Sequence, residues 1–169
     1  MDAYTRKTKL MDVMAAHWRR YNFVLTTDPK RMPPEQLNTL LESKSSVEKR
    51  YPTQKLDSIM QHSLIFALLM RGGGHGNRSR LIGFARFLTN QVTVAFFEEL
   101  VLLPECHDLG IIPWMGHCMN EYFEAMGVEA VVAVVDTDTD EEVLLRRHLN
   151  MHPVGAESRV ELIKLPPQA

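Results

Sequence analysis

The stretch that most constrains the fold is residues 92–126, which changes from a long apolar run to a helical pattern. Val92 to Leu103 predicts a buried strand, Pro104 predicts a turn, and the residues up to Met126 repeat apolar positions at helical spacing. Unpaired backbone N–H groups at the start of such a helix favour an anionic ligand. The residues of this turn therefore decide how far a function can be inferred.

The remaining helical patterns lie on both sides of this stretch. Apolar residues at Leu10, Val13, Met14 and Trp18 predict an additional N-terminal helix within residues 1–21. Three more helices are predicted, beginning at Pro33, running from Thr53 to His62, and running from Glu141 to Leu149 with Asp140 as its cap.

Apolar runs bounded by turn residues predict the other strands. They lie at Asn22–Asp28, Ser63–Met70, Leu81–Asn90, Val128–Val135 and Arg159–Leu165. The glycine-rich segment Arg71–Arg80 is predicted to be a flexible hairpin connection. It is not read as a phosphate-binding loop, because it lacks the required spacing with Lys and then Ser or Thr. The order of elements predicts one α/β (α+β) domain over residues 1–169, with a parallel strand from Val128 and a final strand within residues 156–169.

Composition excludes several classes of function. A net charge of −2 over 169 residues gives no case for binding to nucleic acid or to an anionic membrane. Two cysteines do not suggest a disulfide framework, and no apolar run approaches the roughly 18 residues of a membrane span. We therefore expect a cytoplasmic protein without nucleic-acid or membrane partners, and we leave a homodimer open.

No metal site is expected. Cys106-His107 and His117-Cys118 are adjacent pairs whose side chains diverge, whereas zinc favours two to four residues between paired ligands. A series of alternating aspartates imitates the start of a calcium loop, but glutamate replaces its required glycine: Asp136, Asp138, Asp140 and Glu141.

The segment Leu81–Glu105 (LIGFARFLTNQVTVAFFEELVLLPE) resembles the Gcn5-related N-acetyltransferase (GNAT) superfamily. Members carry a similar GFAR strand, then a bulged strand that ends in a Val- or Leu-rich run, Pro and Glu, and the similarity extends over residues 22–155. The resemblance implies a GNAT-like mixed central sheet of about six to seven strands with flanking helices. It also implies a cleft for acetyl-CoA where the family's fourth strand (Val92–Leu103) splays from its fifth (Val128–Val135).

The loop that would hold the pyrophosphate departs from the family pattern of Gln or Arg, two residues, Gly, one residue, then Gly or Ala. Gly110 fits, but His107 and Ile112 replace the expected residue types, and Pro113 has no N–H. Asp108 adds a carboxylate beside the expected phosphates. If acetyl-CoA is bound, the resemblance implies contacts from Leu102, Leu103, His107, Asp108, Leu109, Gly110, Ile111 and Ile112.

The charge distribution also argues against the binding of acetyl-CoA. Between Arg86 and Arg146 there is no lysine or arginine, and there are twelve acidic residues. Phosphate groups usually have charge-assisted partners, so this interval argues against CoA binding. One alternative is that basic residues of Arg71–Arg80 or Arg146–His148 fold over the cleft, and another is that backbone N–H groups suffice and the acids are solvated.

Glu98 and Glu99 occupy the expected bulge, where a carboxylate among apolar neighbours suits a general base. The alternative is that one acid faces solvent and the other pairs with Arg86. Arg146 stands where many members have a tyrosine that protonates the CoA thiolate, and arginine is no acid near neutral pH. Further candidate donors or acceptors are His62, His107 and Asp108, and the expected walls of the substrate pocket are Phe96, Leu102, Trp114 and Met115.

Three functions follow as expectations. The first is a GNAT-fold enzyme that uses no cofactor and catalyses an isomerisation, cyclisation or elimination on a mostly apolar small metabolite of secondary metabolism. The alternative is an acetyl-CoA-dependent N-acyltransferase that acts on a small amine through a divergent loop. The third is a non-catalytic binding protein.

Overall fold

The computed structural model describes residues 15–44, 51–72, 79–153 and 159–164, and for residues 43–44, 108 and 159–164 it describes the backbone alone. One mixed sheet of eight strands has the order β1-β2-β3-β4-β5-β6-β8-β7. The strands are β1 His17–Arg20, β2 Phe23–Thr26, β3 Leu64–Arg71, β4 Ser79–Thr89, β5 Val94–Leu102, β6 Ala130–Asp136, β7 His152–Pro153 and β8 Arg159–Lys164. The predicted mixed sheet is confirmed, with two more short strands, β1 and β7, than the sequence indicated.

Helices cover both faces of the sheet, which explains why β3 is buried along most of its length. On one face, α1 Pro34–Lys44 and α2 Thr53–His62 enclose a core that includes Val24, Leu69 and Phe84. On the other face, α3 Ile111–Met126 and α4 Asp140–Val143 enclose a larger core that includes Phe66 and Phe87. These two faces are called the α1/α2 face and the α3/α4 face below.

The predicted N-terminal helix is wrong over its last residues. His17–Arg20 is a strand that pairs with β2 through a turn at Tyr21, whose φ is 52°, and residues 1–14 lie outside the described part of the chain. The cause is visible at Trp18: it packs against the core of the α3/α4 face, and its Nε1 donates to Glu121 Oε2 of α3 at 2.8 Å. Alternation along β1 places neighbouring side chains on opposite faces of the sheet, so Arg19 and Arg20 lie on different faces.

The segment after β6 also differs from its prediction. Thr139, and not Asp140, caps α4, because the Thr139 Oγ1 accepts the N–H of Glu142 at 3.2 Å. The predicted single helix then changes into a π-helical turn over Leu144–His148. No helix in the described ranges is long and apolar enough to cross a membrane.

Candidate active site between β5 and β6

Strands β5 and β6 run parallel and separate after three residue pairs. Val94, Ala95 and Phe96 pair with Ala130, Val131 and Val132, and the ladder stops there. Beyond this point β6 continues along β8, with pairs from Val131 to Asp136. Since β1 precedes the family's first strand, β5 and β6 are the fourth and fifth strands of the resemblance, and the expected splayed cleft is present.

The β5 bulge lies just beyond the last β5–β6 pair. Arg86 of β4 is opposite Glu99, and Phe87 is opposite Phe97, so Glu98 is the additional residue. The Arg86 Nε donates to Glu99 Oε1 at 2.6 Å, and its Nη2 lies 3.3 Å from Glu98 Oε2. The structure therefore brings both predicted acids to one arginine, with Glu99 partly buried and Glu98 exposed.

The two carboxylates are not equivalent. The Glu99 side chain is 19% exposed and holds the shorter ion pair, whereas Glu98 is 28% exposed and holds the longer one. Phe96, two residues before Glu98, is 38% exposed. Glu98 is therefore the acid that is better placed to meet a second group at the opening of the cleft, beside an apolar surface.

The β5–α3 loop, residues 103–110, forms a 3-10 helix over Pro104–Leu109 and then bends at Gly110. Gly110 has φ 62° and ψ 29°, the left-handed conformation that favours glycine. Helix α3 begins at Ile111, so the first N–H groups of a 16-residue helix face this loop.

The isoleucine in place of a small residue does not obstruct these N–H groups. Ile111 and Ile112 are only 1% and 7% exposed, because their side chains enter the core of the α3/α4 face. Pro113 lies in the first turn of the helix, where a missing N–H costs little. The steric objection from the sequence pattern is therefore wrong.

Two arginines from distant parts of the chain reach this loop. The Arg20 Nη1 donates to the Gly110 carbonyl at 2.6 Å, and the Arg80 Nη2 lies 3.5 Å from Glu105 Oε1. Arg20 was missed as a loop residue, whereas Arg80 lies in Arg71–Arg80, one of the two basic segments considered as an alternative source of cations. The alternation of HWRR, with Trp18 and Arg20 on one face, was the available signal for Arg20.

His107 connects the loop to α4. Its Nδ1 lies 3.1 Å from Asp140 Oδ2, and its Nε2 lies 3.2 Å from the Leu102 carbonyl. His107 thus lies at the loop end of the cleft and not at the bulge; Asp108 is in the same 3-10 helix, and its side chain lies outside the described atoms.

Other predicted site residues lie elsewhere. Met115 is fully buried and belongs to the core, so it does not line the cleft, and Trp114 is half-buried against that core. His62 is exposed at the end of α2, and its imidazole has no hydrogen-bond partner among the described residues. Arg146 pairs with Glu142 at 2.9 Å and lines a separate cavity of about 470 Å³.

Neither cysteine is a candidate nucleophile. Burial, and then the Glu105 carboxylate, raises the pKa of the Cys106 thiol. Burial raises the pKa of Cys118 to about 12, with Glu121 as the second cause. A thiol that stays protonated is a poor nucleophile. Within the described ranges, no three side chains of the metal-ligating types lie close enough to hold an ion.

No protein-family model matches the sequence, and neither does any curated protein. The fold, by contrast, is shared with solved acetyltransferases. The ribosomal-protein-S5-alanine acetyltransferase from Vibrio fischeri is 12% identical with a TM-score of 0.64, covering 90% of this chain and 97% of that one. The microcin C7 self-immunity acetyltransferase MccE, solved in complex with acetyl-CoA and AMP, is 13% identical with a TM-score of 0.59, covering 87% and 94%. A GNAT-family acetyltransferase from Bacillus anthracis is 10% identical with a TM-score of 0.55, covering 89% and 98%.

The chain therefore has the GNAT fold, and the recognition from Leu81–Glu105 is confirmed. The expectation of a cofactor-free isomerase, cyclase or lyase is wrong, because these structural neighbours are acetyltransferases and one was solved with acetyl-CoA. The alternative expectation agrees better with the neighbours. The error came from counting cations along a sequence interval, when Arg20 and Arg80 enter the loop from outside it.

Proposed function

We propose that the protein is an acetyl-CoA-dependent N-acyltransferase that acts on a small amine. One observation carries the proposal. The β5–β6 opening ends at a loop where Gly110 adopts the left-handed conformation at the start of α3 and Arg20 contacts its carbonyl. An open strand edge, a helix N-terminus and a guanidinium at one place suit an extended ligand that carries a diphosphate.

The residues present fit acetyl-CoA at both ends of the cleft. The Arg20 guanidinium retains donors beyond Nη1, and the N–H groups at the start of α3 are not covered by the Ile112 side chain. The backbone from Leu102 and Leu103 through His107, Asp108 and Leu109 to Gly110, Ile111 and Ile112 would hold the pantetheine and pyrophosphate. When bound, acetyl-CoA supplies the activated acetyl group.

The side chains at the β5 bulge would bind the amine substrate and remove its proton. An amine is protonated at neutral pH and must lose a proton before it can attack a carbonyl carbon. Glu98 accepts this proton, directly or through one water, because its carboxylate is the more exposed and more loosely paired of the two. Arg86 and Glu99 position it, and Phe96 provides an apolar wall for the carbon part of the amine.

No proton donor is assigned to the helix after β6. Arg146, at the position of the family's tyrosine, is paired with Glu142 and faces a cavity whose lining includes no residue of β5. The proposed chemistry therefore depends on deprotonating the amine more than on protonating the departing thiolate.

The binding half of the proposal is tested by calorimetry with acetyl-CoA. Replacing Arg20 by glutamine (Arg20→Gln) should weaken binding about tenfold, the loss expected for one charge-assisted contact. Arg19→Gln is the matched control, since it removes the same charge from the adjacent residue on the opposite face. No binding to the parent protein, or equal affinity of all three proteins, would contradict the proposal.

The catalytic half is tested by following release of the CoA thiol with a panel of primary amines. Glu98→Gln should lower kcat by about 100-fold or more, the usual contribution of a general base, and leave acetyl-CoA affinity unchanged. Glu124→Gln on the exposed side of α3 is the control. Full activity of Glu98→Gln would remove this residue from the mechanism.

A further inference from the structure

Three arginines surround a small pocket on the α1/α2 face, at the sheet edge that β1 forms. Arg19, Arg31, Arg71 and Ser79 line a cavity of about 120 Å³, together with Val24 and Leu69. Val24 and Leu69 are buried, so they form an apolar floor, while the three arginines are exposed at the mouth.

Strand pairing explains why these residues meet. Arg19 pairs with Val24, and Val24 pairs with Leu69, so all three side chains share one face of the sheet. Arg71 follows Leu69 by two residues on β3 and pairs with Ser79 of β4. Arg31 is added by the 3-10 turn Pro29–Arg31, which Asp28 caps by accepting the N–H of Lys30. The pocket is thus built by the fold from five segments, the strands β1 to β4 and the 3-10 turn.

The charge of the pocket is not compensated within the described part of the chain. No carboxylate lines it, and the guanidinium groups of the three arginines have no ion pair or hydrogen bond with the described residues. By contrast, Arg80 and Arg86 pair with carboxylates, and Arg146 pairs with Glu142. Three convergent guanidinium groups repel one another unless an anion lies between them.

We propose that this pocket binds the phosphoryl group of a small phosphorylated molecule. Guanidinium N–H groups match phosphate oxygens in pairs, and the Ser79 hydroxyl adds a further donor. The cavity accommodates a phosphoryl group and a few neighbouring atoms, with the rest of the ligand in solvent. The site is separate from the proposed acetyl-CoA site, because Arg19 and Arg20 point to opposite faces.

The test uses inorganic pyrophosphate as the probe. Its binding to the full chain is measured by calorimetry at low and high salt, and the contact is located by backbone-amide NMR. We expect amide shifts at residues 19, 31, 71 and 79, an affinity that falls with salt, and about tenfold weaker binding for Arg19→Gln. The triple variant R19Q/R31Q/R71Q should lose pyrophosphate binding at this pocket.

Controls separate this site from the loop. Arg147→Gln removes one exposed arginine elsewhere and should retain pyrophosphate affinity. Arg20→Gln should also retain pyrophosphate binding at the pocket, although it weakens acetyl-CoA in the preceding proposal. The triple variant removes the repulsion between the three arginines, so it should unfold at a temperature no lower than the parent. If the triple variant does not fold, the pyrophosphate affinity of Arg19→Gln and the amide shifts of the parent test the proposal.

Three results would overturn the inference. The first is amide shifts confined to residues 103–113, which would assign the anion to the loop. The second is equal pyrophosphate affinity of Arg19→Gln and Arg147→Gln. The third is tighter binding of citrate than of pyrophosphate, which would indicate that the pocket favours a carboxylate ligand and not a phosphoryl group.

Discussion

Gly110 and Gly127 allow the proposed anion site to be tested with an internal control. Both residues have left-handed backbones, with φ of 62° and 68°, and they lie at the two ends of α3. A Cβ at Gly127 meets nothing within 4 Å, and one at Gly110 meets only Arg20 atoms at 3.6 and 3.8 Å, which is ordinary contact. Replacement by alanine therefore adds backbone strain and little steric conflict at either position. The cost expected for each is about 1–2 kcal/mol of unfolding free energy.

The measurement is thermal unfolding of Gly110→Ala and Gly127→Ala, followed by acetyl-CoA titration of both. Each should lower the melting temperature by about 2–8 °C, since about 1 kcal/mol corresponds to 2–4 °C at this chain length. Only Gly110→Ala should also weaken acetyl-CoA binding. A Gly110→Ala protein as stable as the parent would contradict the left-handed backbone. Equal loss of ligand affinity in both variants would contradict the role of the loop.

Three further predictions concern the packing and titration of the α3/α4 face. Gly116→Ala should lower the unfolding free energy measured in urea by about 1–3 kcal/mol, because its Cβ would overlap the His148 Cβ, and this overpacking exceeds the helix propensity gain of about 1 kcal/mol. An unchanged urea midpoint would contradict the close approach of these two residues. Burial, with the Arg147 charge as the second cause, lowers the pKa of His148 below 6.5 in the folded protein. The neutral His148 side chain therefore contributes its full stabilisation above pH 6.5, and this contribution is lost as the pH falls through the folded-state pKa. The urea midpoint should fall over that pH range, and it should fall less in His148→Gln. The same pH dependence of the midpoint in both proteins would contradict a lowered pKa of His148. Cys106 and Cys118 should react with a thiol reagent at pH 8 only after unfolding. Both thiols are buried, and burial raises the pKa of both, that of Cys118 to about 12. Rapid labelling of the native protein would contradict their burial.

Much of the fold could be predicted from local patterns. Helix α2 has the predicted bounds, Thr53–His62, because its apolar positions repeat at helical spacing between Pro52 and the buried strand β3. The bulge at Glu98 and the parallel strand β6 also agree with expectation. The first strand could not be predicted in the same way, because Trp18 continues an apolar series that begins at Leu10. Its strand conformation depends on pairing with β2 and on the contact with Glu121, which is 103 residues away.

The site was harder to predict than the fold, because its charges come from long-range contacts. Arg20 lies 90 residues from Gly110 in sequence, and the edge position of β1 is what brings the two together. No spacing rule within residues 86–146 contains that information. The partners of Glu98 and Glu99 were easier, since Arg86 is a cross-strand neighbour in a hairpin of predicted strands.

A phosphate-binding loop can change its side chains and keep its chemistry, because backbone N–H groups provide most of its donors. In this chain the family's glutamine or arginine is replaced by His107, and its last small residue is replaced by Ile112, which is buried. The position that must be glycine is the one with the left-handed backbone, Gly110, and it is retained. Arg20 of the first strand contacts this loop at the Gly110 carbonyl, so in the proposed site it takes the place of the cation that the loop lacks in sequence. The backbone conformation of Gly110 therefore carries more information about this site than the number of matches to the motif.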